Sequence, residues 1–141
     1  MAGGDWPVEF HPEFESWASG LAQGDAEALL AAIRVLQSEG PMLGRPLVDT
    51  VSGSRHANMK ELRPGSTGRT EIRVLFAFDK ARTAIMLVGG DKSTRWKSWY
   101  DMNIPVADDW LDAHQRSLED KQSKGSATSR GTKQRKGRNR S

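Results

Sequence analysis

The sequence contains no cysteine and only three histidines, and both shortages limit the chemistry that it can perform. Without thiols the chain forms no disulfide, offers no thiolate nucleophile and builds no cysteine zinc site. His11, His56 and His114 are too scattered to predict a histidine metal cluster. We therefore expect a protein that works without a metal ion or another cofactor.

Long apolar runs and familiar catalytic motifs are also missing. No run approaches the roughly 18 apolar residues that a membrane-spanning helix needs. The first residues lack the basic and apolar segments of a secretion signal. The sequence has no phosphate-binding loop, no nucleophile elbow, no His-Glu-x-x-His pair and no dinucleotide fingerprint. We expect a cytoplasmic protein without a membrane partner.

Charge is abundant instead, and it is segregated along the 141 residues. Residues 1–44 carry one basic and seven acidic side chains, whereas residues 45–97 carry eleven basic and five acidic ones. Residues 98–120 carry one basic and six acidic side chains, and residues 121–141 carry eight basic and none acidic. Such a distribution is typical of a protein that binds a polyanion, most simply RNA. An ordinary solvated surface is the alternative.

Hydrophobic periodicity predicts a strand and two helices at the start of the chain. Residues 6–10 indicate a short edge strand. Helices are expected over 12–24 and 25–40, with Pro12 in the first turn of one and Asp25 capping the other. A short connection of this kind favours two antiparallel helices.

Three strands and short helices are predicted after a loop over 41–57. The strands cover 58–63, 71–79 and 84–88, and Gly89-Gly90 is expected to end the last one. Because 84–88 is apolar on both faces, it should be a central strand. Short helices are expected at 96–100 and after Pro105.

This order predicts an α+β domain over residues 1–120, with an antiparallel sheet. The two N-terminal helices would pack on one face, and the short C-terminal helices would follow the sheet. Residues 121–141 contain no large apolar side chain. They cannot bury enough surface to offset their ordering entropy, so we expect a disordered basic tail.

A cationic sheet face is the first candidate site. In the strand over 71–79, Arg73 alternates with apolar residues and should project away from the helices. Lys60 and Arg63 on the neighbouring strand would lie beside it. Arginines grip phosphate through two parallel hydrogen bonds. The alternative is that Arg73 merely pairs with Glu61 or Glu71 across the strands.

Acid–base groups near this face are few. His56 titrates near neutrality, although a solvated loop histidine is the simpler interpretation. Tyr100, the only tyrosine, could contact RNA or simply pack. Base stacking by Trp96 or Trp99 is a further option, since bases of single-stranded RNA stack on aromatic side chains.

The central segment resembles RelE/HigB-type toxins of type II toxin–antitoxin systems. The likeness lies in residues 58–66 (NMKELRPGS), 68–78 (GRTEIRVLFAF), 84–88 (AIMLV) and 90–92 (GDK). Residues 39–41 (EGP) and 44–50 (GRPLVDT) are similar to the actinobacterial form of the phage-derived host-killing subgroup. The resemblance covers roughly residues 6–120.

The resemblance implies a RelE-like fold, a ribosome-dependent endoribonuclease acting on mRNA, and a helix-turn-helix antitoxin of the HigA type. The family places basic residues on its active strands, which implies catalytic roles for Arg63 and Arg73, for Lys92 after the last strand and, less closely matched, for Lys60. Further RNA contacts are expected from Arg69, Lys92, Arg95 and Tyr100. Many relatives end with a His or Tyr near the site. Here only Tyr100, displaced into a helix, could take that place, and His56 is the other possible acid or base.

Two other functions agree with the same residues. A binding module could block RNA or the ribosome without cleaving anything, because it would need the basic face but no proton-transfer groups. A regulatory DNA-binding protein would also be basic, but no helix-turn-helix signature is present.

Overall fold

The computed structural model describes residues 5–65, 68–93 and 95–134, with side chains described as far as Lys121. Within these residues the helices are α1 (Pro12–Ser19), α2 (Gln23–Glu39) and α3 (Trp96–Gln134), and a 3-10 turn (Gly40–Met42) follows α2. The strands are β1 (Val8–Phe10), β2 (Val48–Thr50), β3 (Lys60–Leu62), β4 (Ile72–Phe78) and β5 (Ala84–Asp91). This content confirms the predicted α+β class.

The five strands form one sheet in the order β1-β5-β4-β3-β2. The pairs β2–β3, β3–β4 and β4–β5 are antiparallel, as an antiparallel sheet requires. Strand β1 is parallel to β5, with Val8 opposite Ala84, so the sheet is mixed and the prediction of an antiparallel sheet was wrong for this strand. The two paired segments are remote in sequence, and periodicity within a strand carries no information about its partner.

The sheet is covered on both faces by hydrophobic clusters. One cluster joins α1 and α2 to alternate strand residues: Phe14, Leu29, Ala32, Ile33, Leu36, Val48, Leu62, Val74, Phe76, Ala84 and Met86. The other cluster joins α3 to strand residues that face the opposite side of the sheet. Its members are Met59, Leu75, Ala77, Ile85, Leu87, Val88, Ile104, Ala107 and Leu111. The alternation predicted for β4 and the central position predicted for β5 are both confirmed. The face expected to be open lies partly beneath α3.

The boundary between the first two helices differs from the prediction. Helix α1 ends at Ser19, where the backbone N–H of Gly20 bonds to carbonyl groups of the last turn. Helix α2 already begins at Gln23, so Asp25 lies in its first turn rather than at the cap. A carboxylate is favourable there as well, because the exposed N–H groups of the first turn carry partial positive charge.

Strand β5 continues through Gly89 and Gly90 rather than ending at them. A Cβ atom at Gly89 would lie 2.2 Å from the Trp17 ring, and one at Gly90 would lie 2.1 Å from Nε1 of Trp99. The glycines therefore let two tryptophans approach the backbone from opposite faces. The sequence prediction also missed β2, which lies within the segment 41–57 that was predicted to be a loop.

Helix α3 is continuous where two short helices were expected. Pro105 lies inside it, and an interior proline costs about 3 kcal/mol. Burial of Ile104 and Leu111 against the sheet offsets this cost, since each such side chain contributes roughly 1.5–3 kcal/mol. The helix runs past the predicted tail boundary to Gln134, and residues 135–141 of the predicted tail lie outside the described residues.

None of the helices described combines the length and the apolar composition required to cross a bilayer.

Candidate functional site

Arg73 occupies the centre of a network of ion pairs on the α3 side of the sheet. It projects from β4 opposite Gly90, and only 11% of its side chain is exposed. Its Nε lies 3.9 Å from Oε1 of Glu61, and its Nη2 lies 3.8 Å from Oε1 of Glu71. Its Nη1 donates a 2.8 Å hydrogen bond to the carbonyl oxygen of Ile72. The cross-strand pairing offered as the alternative for Arg73 is therefore present.

Lys92 extends this network, and Arg63 forms a separate ion pair beside it, since Asp49 lies opposite Glu61. Nζ of Lys92 lies 3.5 Å from Oε1 of Glu71, the same oxygen that faces Arg73. Nη1 of Arg63 lies 3.7 Å from Oδ2 of Asp49. Three cations thus face three carboxylates, and we call this group the ion-pair cluster: Asp49, Glu61, Arg63, Glu71, Arg73 and Lys92.

Tyr100 closes the cluster from helix α3. Its hydroxyl donates a short hydrogen bond to Oε1 of Glu61. Burial raises the pKa of Tyr100 far above its usual value, and the adjacent carboxylate of Glu61 raises it further. The ring also lies 5.8 Å from Nζ of Lys92. Tyr100 therefore stays protonated and holds Glu61 in place.

The buried Nε–H of Arg73 has no hydrogen-bond partner among the described residues. Arginine carries five N–H donors in a fixed plane, and the distances to Glu61 and Glu71 are ion-pair distances rather than short hydrogen bonds. Arg73 therefore has a buried N–H donor that its ion pairs leave without a short hydrogen bond.

A groove of about 430 Å³ adjoins the cluster. The end of β2, the loop after it and the first turns of α3 form its walls, and Glu61 and Tyr100 lie at one side. Its lining residues are Thr50, Val51, Ser52, Gly53, Glu61, Trp96, Lys97, Tyr100, Asp101, Ile104 and Pro105.

Lys60 does not join the cluster. In β3 it alternates with Glu61 and shares a face with Leu62, which belongs to the α1 and α2 cluster. Lys60 therefore projects to the opposite face from Arg73. The expectation that both would line one face was wrong, because their cross-strand register was unknown from the sequence.

His56 is also held elsewhere. Its Nε2 lies 2.8 Å from Oδ1 of Asp112, and the preceding Arg55 pairs with Asp109 and Asp112. Asp112 follows Tyr100 by twelve positions, or about 18 Å along the helix axis. The structure thus uses His56 to fasten its loop to α3, and it brings only Tyr100 of the two acid–base candidates to the cluster.

The other candidates for RNA contact lie outside the ion-pair cluster. Arg69 and Arg95 are both exposed. Arg95 precedes α3, and its carbonyl oxygen accepts a 2.7 Å hydrogen bond from the backbone N–H of Trp99. Of the four candidates, Lys92 and Tyr100 contact each other directly.

The other histidines take structural positions. His11 caps α1 and stacks on Trp110 at a centroid distance of 3.9 Å, and burial lowers its pKa. Nε2 of His114 lies 2.7 Å from Oδ2 of Asp79, a buried carboxylate in the β4–β5 turn. Among the described residues no group of three or more His, Asp or Glu side chains could hold a metal ion.

Glu61 is the site residue that the sequence prediction treated only as a partner of Arg73. The structure places it between Arg73 and Tyr100 at the edge of the groove. A signal was available, because Glu61 and Arg63 are two residues apart and so share a strand face. The register between β3 and β4 was needed to bring that face to Arg73.

Comparisons with known proteins agree with the resemblance found in the sequence. Residues 16–112 match a family model described as "Phage derived protein Gp49-like (DUF891)". A protein of Mycobacterium tuberculosis (strain ATCC 25618 / H37Rv) named "Putative toxin HigB2" is 58% identical over 105 residues, which cover 74% of this chain and 52% of that protein. A second, "Putative toxin HigB3" of the same organism, is 52% identical over 104 residues, covering 71% of this chain and 89% of that protein. The chain thus spans about half the length of the first relative.

Proposed function

The chain belongs to the Gp49-like family of phage-derived proteins, and we propose on that basis that it is the HigB-type toxin of a type II toxin–antitoxin pair. The names of both relatives support this proposal. The predicted resemblance to HigB toxins is confirmed at the level of the family. The activity of the toxin is a separate proposal, which depends on the site.

We propose that the toxin cleaves mRNA on the ribosome as a metal-independent endoribonuclease. Such cleavage requires that a 2′-hydroxyl attack the neighbouring phosphate, with a proton acceptor, a proton donor for the leaving oxygen, and cations for the developing charge. The observation that carries the proposal is the meeting of Arg73 and Lys92 with the Glu61–Tyr100 pair beside a groove.

Each group has a distinct part in this proposal. Arg73 and Lys92 bind the scissile phosphate, because both already share one carboxylate oxygen of Glu71 and so converge on one anion position. Arg63 neutralises further phosphate charge from the neighbouring strand. Glu61 accepts the proton of the attacking 2′-hydroxyl, and Tyr100 orients it. The ammonium group of Lys92, beside the same phosphate position, gives a proton to the leaving oxygen.

The remaining basic candidates are assigned lesser parts. Lys60 lies on the opposite face and is left as a peripheral contact, as are the exposed Arg69 and Arg95. A site that consists mainly of preorganised charge is weak in isolation. The ribosome would complete it by orienting the mRNA, since correct positioning alone lowers a barrier by several kcal/mol.

A translation blocker that binds without cleaving is the second candidate. It is favoured by the position of His56, which is fastened to Asp112 instead of facing Arg73. Tyr100, with its raised pKa, is a poor proton donor at neutral pH. Mapping the 5′ ends of mRNA after induction separates the candidates, because new ends at codon-defined positions require cleavage, whereas a blocker leaves the ends unchanged.

The site assignment is tested by growth arrest on expression. Arg73→Lys keeps a positive charge between the two carboxylates but removes the planar fork, and Lys92→Gln removes the second cation. Each variant should raise the inducer concentration that is needed for growth arrest by about tenfold or more. Lys80→Gln is the matched control, because Lys80 is paired with Glu119 away from the cluster. Full toxicity of both folded site variants would refute the assignment.

The partner proposal is a helix-turn-helix antitoxin encoded beside the toxin gene. A partner surface that is largely acidic, or one that keeps the toxin off the ribosome, would neutralise it. Co-expression of the adjacent gene should restore growth, and its product should co-purify with this chain. If no neighbouring reading frame does either, the toxin–antitoxin proposal loses its support.

A further inference from the structure

We propose that the groove beside the ion-pair cluster is a nucleobase subsite, in which one base of the RNA stacks on Trp96 and presents an exocyclic amino group to Asp101. The inference rests on the proposed action on RNA. It adds a specificity site to the phosphate-binding cations, with a stated class of ligand.

Trp96 is available for stacking in a way that Trp99 is not. Its side chain lines the groove and is 61% exposed, although it is a large hydrophobic residue. Trp99, three positions later, packs against the backbone of Gly90 and joins the α3 cluster. The structure therefore separates the two tryptophans that the sequence left equivalent.

The charge of the groove favours a neutral base over a phosphate. Its lining includes the carboxylates of Glu61 and Asp101 and one cation, Lys97. A phosphate inside would face net negative charge. The cations of the cluster stand outside, and Nζ of Lys92 lies 5.8 Å from the centres of both the Trp96 and Tyr100 rings. This arrangement places the phosphate at Lys92 and the attached base in the groove.

The polar groups in the groove indicate which bases fit. Glu61 already accepts a hydrogen bond from Tyr100. Asp101 is exposed on the same wall as Trp96, and it forms no ion pair within the part of the chain that the structure describes. A carboxylate accepts hydrogen bonds from amino groups, which adenine, cytosine and guanine carry and uracil lacks. The subsite should therefore disfavour uracil.

The size of the groove and its apolar wall agree with this ligand. The volume of about 430 Å³ admits a base together with its ribose, and Val51 and Ile104 line the groove with apolar side chains. Stacking of one base on an aromatic side chain contributes about 1–3 kcal/mol, which corresponds to roughly 5-fold to 150-fold in affinity.

The test uses the full chain in a purified translation system, with cleavage of ribosome-bound mRNA measured by mapping of 5′ ends. Trp96→Ala should raise the toxin concentration needed for half-maximal cleavage by roughly 5-fold or more, and Trp96→Phe should recover most of the loss. Met102→Ala is the matched control, because Met102 is equally exposed on the same helix but does not line this groove. It should behave as the wild-type chain.

Base preference provides the second measurement. The test compares mRNAs that differ at one codon position at a time. At one of these positions, uracil should slow cleavage of the mRNA several-fold relative to the other three bases. Asp101→Asn should reduce that difference. Unchanged cleavage by Trp96→Ala, or a preference for uracil that Asp101→Asn leaves intact, would overturn the subsite while the wild-type activity upheld the proposed function. Absence of any new 5′ ends with the wild-type chain would overturn both.

Discussion

Replacing Glu71 with glutamine should strengthen RNA binding, although the change removes two ion pairs. One oxygen of Glu71 lies 3.8 Å from Nη2 of Arg73 and 3.5 Å from Nζ of Lys92. Its side chain is 48% exposed, whereas those of the two cations are nearly buried. The carboxylate thus occupies, from the solvent side, the position that the proposed function assigns to a phosphate.

The size of the effect follows from the cost of displacing that carboxylate. Ion pairs with an exposed partner contribute about 0.2–1 kcal/mol each, so two of them hold Glu71 with roughly 0.4–2 kcal/mol. An incoming phosphate must break both. Removing the charge should therefore tighten binding by roughly twofold to thirtyfold. Glu61 still faces Arg73 in the variant, so the fold should lose no more than about 2 kcal/mol.

The assay is fluorescence anisotropy of a labelled single-stranded RNA at low and at physiological salt. Glu119→Gln is the matched control, because it makes the same change in net charge and breaks the Lys80–Glu119 pair away from the site. The difference in RNA affinity between Glu71→Gln and the control separates the effect of the carboxylate's position from the effect of the net charge. It should shrink as salt rises, since the screening length falls to about 8 Å at 0.15 M ionic strength.

Equal affinities for the two variants would show that Glu71 does not compete with RNA. Weaker binding by Glu71→Gln, in a variant with an unchanged melting temperature, would show that Glu71 supports the site instead. Either result would refute the reasoning that Arg73 and Lys92 converge on a phosphate position.

Three other predictions follow from the geometry. Tyr100 is the only tyrosine, so tyrosinate absorbance in the near ultraviolet should show a midpoint well above pH 10.0 in the folded chain. Because its folded-state pKa is raised, the associated stability is full below pH 10.0 and is lost as the pH rises towards the folded value; a midpoint near 10.0 would contradict the Glu61 contact. Gly90→Ala should lower the free energy of unfolding by about 1–3 kcal/mol, because the new methyl group meets Trp99; an unchanged denaturant midpoint would contradict this. Under the proposed function, deleting residues 121–141 removes eight basic side chains and should weaken ribosome binding and flatten its salt dependence; an altered melting temperature would contradict the predicted domain boundary.

The central strands were predictable because their burial leaves a pattern in the sequence. Residues 72–78 alternate, and β4 shows that alternation between the two hydrophobic clusters. Residues 84–88 are apolar throughout, and β5 is covered on both faces. Where burial dictates residue type, the sequence alone was sufficient to locate both strands, although β5 extends beyond its predicted end at residue 88 to Asp91.

Pairing between distant segments was not predictable in the same way. Nothing in residues 8–10 indicates that β1 runs parallel to β5. The opposite orientations of Lys60 and Arg73 depend on the register of β3 against β4. Both features arise from contacts between elements, which no single segment encodes.

Helix α3 shows a different limit. Pro105 is locally a helix breaker, and the sequence analysis predicted one short helix at 96–100 and another after Pro105. Burial against the sheet outweighs that local penalty. The same error concealed the groove, because its wall is the continuous helix from Trp96 to Pro105. Of the candidate cations, Arg73 and Lys92 meet at one oxygen of Glu71. Pairing of Arg73 with a carboxylate was only an alternative in the sequence analysis.

That pairing has a consequence for a protein working in a cell crowded with RNA. Because each cation of the cluster already faces a carboxylate, the site presents little net charge to transfer RNA, ribosomal RNA or free messages that pass by. Arginines without paired carboxylates would bind these abundant molecules and would be occupied by RNA that is not cleaved. Under the proposed function, a backbone held still by the ribosome would displace the internal carboxylates more readily than free RNA does, so the counter-charges would favour ribosome-bound mRNA over other RNA.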